Sequence, residues 1–268
     1  MDRSIPEGEG KRIKSAERVF EILEVIGAKQ PVSLSELTDE LDVSKSTLHY
    51  YLKTPMANRF VVEENQKYRF GLRCLEFGGT ALSQRDFPEG IEDEVDNLAE
   101  ETGQTAVLVI EEMGKAVCVY KSPLLESDSN WYIGVESHLH VTAFGKAILA
   151  HLPEEDVFNI IEHYGLPQLT EYTVTDTNEL IAELEEVRQQ GLAYSDKERQ
   201  ENVQTLAAPI IPEKSQGNET FGTIGIVSNT DEESLSKPTH LKAQRFKEEP
   251  SNIVNRFAQI IGNKIEVT

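Results

Sequence analysis

The sequence predicts an α/β protein of two domains: a small winged helix-turn-helix, and a larger α/β domain with a mostly antiparallel sheet, joined by a linker helix. Three amphipathic helical patterns followed by a strand–turn–strand pattern indicate the first domain. After Ile91, helical and strand patterns alternate, which is typical of the second. The chain has 268 residues, enough for each domain to have its own hydrophobic core.

The predicted boundaries follow from where these patterns change. We predict the winged helix-turn-helix at 11–72, the linker helix at 73–85 and the larger domain at 86–268. The segment 11–73 holds 11 Lys+Arg and 9 Asp+Glu, although the whole chain has a formal net charge of −21. A segment with few acidic residues in an otherwise acidic protein is suited to binding a polyanion, because each carboxylate that faces a phosphate lowers the affinity for the polyanion.

Two helices are expected to open the first domain. The segment "SAERVFEILEVI" has helical spacing of its apolar residues, which predicts one buried stripe made of Ala16, Val19, Phe20, Leu23 and Ile26. In "SLSELTDELDVS", the spacing of Ser33 and Glu36 predicts a capping box at the start of a second helix. Its apolar side is predicted to be Leu34, Leu37 and Leu41.

The third helix is predicted from "SKSTLHYYLK", with Ser44 as its N-cap and Pro55 as its limit. Leu48, Tyr51 and Leu52 fall on one side and are expected to be buried. A second helix after a short turn, with donors and cations exposed, is the geometry of a recognition helix in the major groove. The candidate DNA-binding residues on it are Lys45, Ser46, Thr47, His49, Tyr50 and Lys53.

A two-stranded wing is predicted from "FVVEENQKYRFG" around a tight Asn65-Gln66 turn. Alternation places Tyr68 and Phe70 on one face, and it places Lys67 and Arg69 on the other. We expect Lys67 and Arg69 to contact DNA phosphates or a minor groove.

The linker helix and the larger domain follow. "LRCLEFGGTALSQ" has an apolar stripe that is expected to pair with a second subunit. Next come an acidic helix ended by Gly103 and a hairpin of "TAVLVI" and "AVCVY". Helices are predicted from "FGKAILAHL", "EEDVFNIIEHYG" and "TNELIAELEEVRQQ", and strands from "TLAAPII" and "FGTIGIVS". A surface loop "EKSQGNETFG" and an exposed connection ending near Pro250 precede the final helix.

Three motifs carry a resemblance to a known family. With the N-terminal winged helix, "HVTAFGKAILAHLP" (140–153), "LTEYTVTD" (169–176) and "QQGLAYSDKERQENVQTLAAPI" (189–210) resemble the IclR family of transcriptional regulators. The resemblance covers the chain from about Lys14 to Ile261. It implies a homodimer or dimer of dimers, double-stranded operator DNA as a partner, and a GAF-like C-terminal domain that binds a small-molecule effector.

The resemblance also implies where the effector binds. Matched onto this sequence, the lining comprises Ala143, Phe144, Ser195, Thr205, Gly225 and Val227, to which the aromatic Trp131 is added. Relatives that bind small oxoacids often carry acidic or hydroxyl groups where this chain has Ser195, Gly225 and Val227, and the bulky Phe144 borders the pocket. A cavity with few charges and with Trp131, Tyr132 and Phe144 nearby favours an apolar or aromatic metabolite over a small oxoacid; the alternative is that these aromatic side chains simply fill the core. Tyr50 stands where relatives commonly carry arginine, so the operator is expected to differ.

Other functions are weighed against this interpretation. "AFGKA" lacks the upstream glycine and the hydroxyl after Lys146 that a phosphate-binding loop needs, and no glycine-flanked serine elbow occurs. His138 and His140 could share a metal with His151, but loop or core histidines are the expectation. We therefore predict no catalytic residue, no metal and no cofactor; the alternative is a DNA-binding protein without a ligand that is constitutive or responds to salt.

Composition bounds the setting of the protein. The strong excess of acid over base, with 38% hydrophobic residues, indicates a folded protein with an acidic surface, as in the salt-rich cytoplasm of a halophilic archaeon; an ordinary acidic cytosolic protein is the alternative. Cys74 and Cys118 have no partner motif and are expected to be reduced. Without a signal peptide or a long apolar segment, the protein is predicted to be cytoplasmic with no membrane partner.

Overall fold

The structure, a computed structural model, describes residues 12–29, 31–123, 131–213, 220–229 and 239–265, with side chains of the last segment described from Pro250 onward. The chain divides into two compact units between Asp86 and Phe87. Among the described residues, no helix is long and apolar enough to cross a membrane.

The first unit contains four helices and a three-stranded sheet among its described residues. The helices are α1 (Lys14–Lys29), α2 (Leu34–Leu41), α3 (Lys45–Ala57) and α4 (Cys74–Ser83). The strands are β1 (Val32–Ser33), β2 (Val61–Glu64) and β3 (Lys67–Phe70), in the antiparallel order β1-β3-β2. Asn65 and Gln66 both have positive φ, as a tight hairpin turn requires. This is the predicted winged helix-turn-helix, with β1 as an addition too short to show periodicity.

The core of the first unit corrects part of the predicted stripe. It consists of Ile22, Ile26, Val32, Leu37, Leu48, Leu52, Val61 and Tyr68. Val19 and Leu23 are half-buried, whereas Ala16 is exposed and Phe20 is 64% exposed. The apolar residues of α1 extend over more than one face, and the neighbouring elements cover the face that carries Ile22. The prediction for Phe20 and Ala16 was therefore wrong.

Two helix boundaries also differ from prediction. Helix α3 does not stop at Pro55: the proline is buried within the last turn and the helix continues to Ala57. Asn58 then closes the helix through its backbone N–H and its side-chain amide, both of which donate to the Thr54 carbonyl. Near the other end of the chain, the final described helix, α9 (Thr239–Lys264), begins within the predicted exposed connection, of which residues 230–238 lie outside the described part.

The second unit is a six-stranded antiparallel sheet with helices on both faces. Its helices are α5 (Ile91–Thr102), α6 (Ala143–Leu149), α7 (Glu154–Tyr164), α8 (Thr177–Gln190) and α9 (Thr239–Lys264). Its strands are β4 (Thr105–Glu112), β5 (Lys115–Lys121), β6 (Glu136–His138), β7 (Ala193–Asp196), β8 (Val203–Ile210) and β9 (Gly222–Asn229), in the order β6-β5-β4-β9-β8-β7. Part of the predicted loop, 214–219, lies outside the described residues.

Helix α6 is the buried centre of this unit. Every residue from Ala143 to Leu149 is buried, and the helix packs on β8 and β9. Gly145 allows α6 to lie close to the preceding 3-10 turn, because a Cβ there would lie 2.1 Å from the Leu139 carbonyl oxygen. Helices α5 and α9 pack together, and α9 also contacts β8 and β9. Successive side chains of a strand point to opposite faces of the sheet, so α6 packs on one face and the pair α5 and α9 on the other.

Candidate functional sites

The predicted recognition helix is held at its N-terminus by a hydroxyl network. The Ser44 side chain accepts a hydrogen bond from the Thr47 backbone N–H at 3.2 Å. Its Oγ also lies 2.9 Å from Ser46 Oγ and 2.8 Å from Thr47 Oγ1. The Ser46 and Thr47 hydroxyls, predicted as DNA contacts, are thus oriented by the cap. Upstream, Ser33 and Glu36 form the predicted capping box, which starts α2.

The outer face of α3 is exposed and free of acid. Lys45, Ser46, His49 and Lys53 are exposed, and Tyr50 is 69% exposed, while Leu48 and Leu52 face the core. No acidic residue lies in the first turn, so its free backbone N–H groups and Lys45 give the helix start a positive character. This face can accept phosphate or base-edge acceptors.

The wing is less basic than predicted. Lys67 is exposed, but it lies opposite Glu64 in the strand register. Arg69 Nε donates to Glu64 Oε2 at 3.1 Å. The uniformly basic face that was predicted is therefore mixed, because the pattern of β3 alone does not show what β2 places beside it.

A cationic cleft in the first unit was missed from the sequence. It has a volume of about 510 Å³ and is lined by Arg59, Val62, Arg69, Gly71, Leu72, Arg73 and Glu76. Arg73 Nη1 donates to the Asn58 carbonyl at 2.8 Å, and its guanidinium carbon lies 5.4 Å and 5.8 Å from the ring centres of Phe60 and Phe77. Arg73 follows a strand and precedes a helix, so no periodicity marks it as a lining residue.

In the second unit, the residues that the resemblance placed around an effector all lie at the packing surface of α6 and the sheet. Six of the seven belong to elements that meet there, and the seventh, Trp131, has its ring 4.9 Å from that of Phe144. All are buried: Trp131, Ala143, Phe144, Ser195, Thr205, Gly225 and Val227. Tyr132, by contrast, is 56% exposed.

The two hydroxyl residues of this set hold the start of α6. Thr205 Oγ1 accepts from the Ala143 backbone N–H at 3.0 Å, and Ser195 Oγ donates to the Val141 carbonyl at 3.4 Å. Ser195, Thr205 and Val227 occupy neighbouring strands in register, which brings them side by side. Gly225 pairs with Ala207 two residues along the same strand.

A buried ion-pair cluster lies beside this region. Lys146, 2% exposed, donates from Nζ to Glu183 Oε2 at 2.6 Å and to Glu198 Oε1 at 2.7 Å. Burial raises the pKa of the Glu198 carboxyl, opposed by the attraction of Lys146. Thr173 donates to the Glu198 carbonyl at 2.7 Å, which fixes the loop that carries it. From the sequence, Lys146 was interpreted only as a residue at a helix start, because its partners are far along the chain.

The histidines do not share a strand face. His138 ends β6, whereas His140 lies in a 3-10 turn and its Nε2 contacts the Pro167 carbonyl at 3.2 Å. His151 Nδ1 contacts the Ala147 carbonyl at 2.9 Å. In the ranges that the structure describes, no group of three or more His, Cys, Asp or Glu is placed to hold a metal ion.

Comparison with known families matches both units. The model of the IclR helix-turn-helix domain matches residues 15–64, and the model of the bacterial transcriptional regulator IclR C-terminal domain matches residues 79–240. This chain belongs to the IclR family. It is similar to KdgR of Dickeya chrysanthemi, an HTH-type transcriptional regulator, with 29% identity over 74% of this chain and 66% of the relative. ArcR of Halobacterium salinarum, named as a probable HTH-type transcriptional regulator, has 28% identity over 97% of this chain and 96% of the relative.

Solved IclR structures share the fold. The Thermotoga maritima IclR is similar with a TM-score of 0.63 at 22% identity, covering 94% of this chain and 100% of that chain. The inducer-binding domain of a PobR double mutant from Acinetobacter, in complex with 3-hydroxybenzoic acid, has a TM-score of 0.57 at 26% identity over 66% of this chain and 98% of that chain. The predicted architecture is thereby confirmed, and the protein is an IclR-type transcriptional regulator with a C-terminal effector-binding domain.

Proposed function

We propose that this IclR-type regulator binds promoter operators through α3 and the wing, and that a small metabolite in its second unit controls this binding. The observation that carries the DNA-binding proposal is the exposed outer face of α3, which has two lysines and no acid. The contact residues proposed are Lys45, Ser46, Thr47, His49, Tyr50, Lys53, Lys67 and Arg69. The proposed domain division is 11–72, 73–85 and 86–268.

Capture of fragmented genomic DNA from the source organism in molar KCl tests the DNA-binding face. The native protein is compared with a variant in which Lys45, His49 and Tyr50 are changed to Ala. A control variant changes three exposed residues of α1, Lys14, Ser15 and Glu24, to Ala. Enrichment of a few promoters by the native and control proteins, but not by the α3 variant, supports the proposal. Equal enrichment by all three proteins shows that α3 is not the reader.

The proposed effector is an apolar or aromatic metabolite that lies against Trp131, Ala143, Phe144, Ser195, Thr205, Gly225 and Val227. The aromatic pair Trp131 and Phe144 supports this proposal. So do the hydroxyls of Ser195 and Thr205, because both already form hydrogen bonds with the backbone at the start of α6. A relative with a related fold is known in complex with 3-hydroxybenzoic acid. We propose neither catalysis nor a cofactor or metal; an unliganded regulator that is constitutive or responds to salt is the competing proposal.

A homodimer or dimer of dimers is proposed from the surface of α4. Leu75 is 69% exposed and Phe77 is 51% exposed on this ten-residue helix, with Leu72 just before it 79% exposed. Exposed apolar residues grouped on one short helix are suited to pairing with a second copy. Light scattering on the native protein and on Leu75→Ser tests this proposal. The molar mass measured for the variant is expected to be lower than that of the native oligomer.

The acidic composition supports a cytoplasmic protein of a halophilic archaeon, as does the similarity to a protein of Halobacterium salinarum. At molar salt the Debye length is about 3 Å, so the attraction of lysines to phosphates contributes little. Base contacts from α3 and the shape of the DNA then carry more of the affinity. Operator affinity measured across KCl concentrations tests whether salt is itself a signal; a flat dependence contradicts that role.

A further inference from the structure

Two buried nitrogen donors lie on neighbouring side chains at the edge of the proposed effector site. The guanidinium carbon of Arg199 lies 4.8 Å from the centre of the Trp131 ring, and Trp131 is 2% exposed. Phe144 is a second neighbour of Trp131, at 4.9 Å between ring centres. A cation, an indole and a phenyl ring therefore follow one another within the second unit.

Neither donor has an acceptor among the residues that the structure describes. Arg199 Nη1 and Trp131 Nε1 are both buried without a hydrogen-bond partner in that part of the chain. Buried donors in native proteins are nearly always paired, so two of them side by side indicate an acceptor that a bound molecule supplies.

Two carboxylates near Arg199 in sequence have described partners of their own. Glu198 accepts from Lys146 at 2.7 Å, and Asp196 accepts from Gln204 at 3.0 Å. Burial lowers the pKa of Arg199, and the groups that oppose this are Tyr132 and Cys118. Burial raises the pKa of the Cys118 thiol to about 12, so this thiol is neutral at ordinary pH. The guanidinium thus carries a charge for which no carboxylate partner is described.

We propose that Arg199 and Trp131 bind the carboxylate of the effector, so that the effector is a monocarboxylate with an apolar or aromatic body. The carboxylate accepts from Arg199 Nη1 and Trp131 Nε1, and the body of the molecule lies against Trp131 and Phe144. This inference rests on the proposed function, because it specifies the chemistry of the same site. Arginine suits this role since its planar guanidinium matches a carboxylate.

The number of available cations favours a monoanion. The other described cation buried here, Lys146, already contacts two carboxylates, Glu183 and Glu198, so Arg199 is the one left to pair with a single carboxylate of a ligand. A second carboxylate placed among Trp131, Phe144 and Val227 would be buried without a partner, which is strongly unfavourable. Dicarboxylates are therefore expected to bind more weakly than monocarboxylates of the same size.

The chain offers its own reporter for the test, because Trp131 is its single tryptophan. The full-length protein is titrated in molar KCl with benzoate, benzamide and terephthalate while tryptophan fluorescence is recorded. Benzamide keeps the size and ring of benzoate but lacks its charge. Benzoate is expected to change the fluorescence saturably and to bind about 10- to 100-fold more tightly than benzamide or terephthalate.

Variants locate the anchor. Arg199→Met is expected to bring the affinity for benzoate down to that for benzamide, and Arg199→Lys to lie between. The matched control is Lys197→Met, which removes another cation of the same loop, whose Nζ lies 5.3 Å from the Tyr172 ring centre. The control is expected to bind benzoate as the native protein does. The comparison of benzoate with benzamide on the native protein remains decisive if Arg199→Met does not fold.

Three results would overturn the proposal: benzoate and benzamide binding equally to the native protein, native affinity of Arg199→Met for benzoate, or no saturable change with any probe. None of these affects the capture of genomic DNA by α3. Promoter enrichment without carboxylate binding refutes the anchor alone, whereas loss of enrichment refutes the proposed function.

Discussion

Helices α3 and α6 carry the candidate chemistry of the two units, and they differ in where their side chains lie. Tyr50 on α3 is 69% exposed, whereas Phe144 and Lys146 on α6 are 0% and 2% exposed. Changes on α3 can remove a contact with a partner and leave the fold intact. Changes on α6 alter packing and ligand contacts together, so the second unit is better tested by varying the ligand than by varying its core.

The largest expected effect is on α6. Lys146→Ala leaves the buried carboxylate of Glu198 without its cation, and we expect the free energy of unfolding to fall by about 3–5 kcal/mol. Denaturant unfolding followed by Trp131 fluorescence measures this in the second unit. Lys45→Ala, a change of the same kind on exposed α3, is expected to stay within about 0.5 kcal/mol. A loss below about 1 kcal/mol for Lys146→Ala would remove the contrast between the two helices.

A smaller effect is expected from pH on the second unit. Burial lowers the pKa of His140 from 6.5 to about 4, so the folded protein keeps this histidine neutral while the unfolded chain protonates it. Stability is fully present above pH 6.5 and is lost as pH falls toward 4, by up to about 3 kcal/mol. We expect His140→Gln to show a shallower loss than the native protein over this range. Parallel curves would contradict a neutral buried His140.

In the first unit, the capping box is the local feature with the largest expected contribution. Ser33→Ala removes the acceptor for the Glu36 backbone N–H, which we expect to cost about 1 kcal/mol of stability. Hydrogen exchange of the α2 amides measures the loss. The control is Ser35→Ala, because Ser35 is an exposed serine at the second position of the same helix. Equal effects of the two changes would show that Ser33 does not act as a cap.

The smallest effect on stability is expected from Tyr50→Ala. The ring contacts Tyr51 edge-on at 5.5 Å and is otherwise exposed, so unfolding should change by less than about 0.5 kcal/mol. Operator affinity is nevertheless expected to fall. A melting curve and a DNA-binding titration on the same sample separate the two. A change in both would mean that Tyr50 supports the fold of α3.

Local signals in the sequence predicted most of the fold. The caps Ser33, Ser44 and Asp176 and the turn at Asn65 depend on neighbouring residues, and each lies where it was expected. Helix α3 passes Pro55 because packing of the buried ring offsets a purely local penalty. Strands β1 and β6 have two and three residues, which is too few to show an alternation.

The candidate sites were predictable to different degrees. On α3, helical periodicity alone identifies the exposed residues, and Lys45, His49 and Tyr50 are exposed as expected. In the second unit, the contact of Lys146 with Glu198 spans 52 residues, and Arg199 meets Trp131 across a similar separation. Pairings of this kind depend on sheet order and strand register, which the pattern of one segment does not encode.

Helices α5 and α9 close the second unit where its chain enters and leaves. Lys264 Nζ donates to Glu94 Oε1 at 2.6 Å, and Arg256 pairs with Glu101 about two turns farther along α5. The first and last helices of the unit are thus joined side by side at both contacts. A unit whose first and last helices are adjacent can be inserted into a surface loop of another protein without distorting that loop, and it can also be circularly permuted. The second unit therefore offers a sensing cassette for engineered regulators.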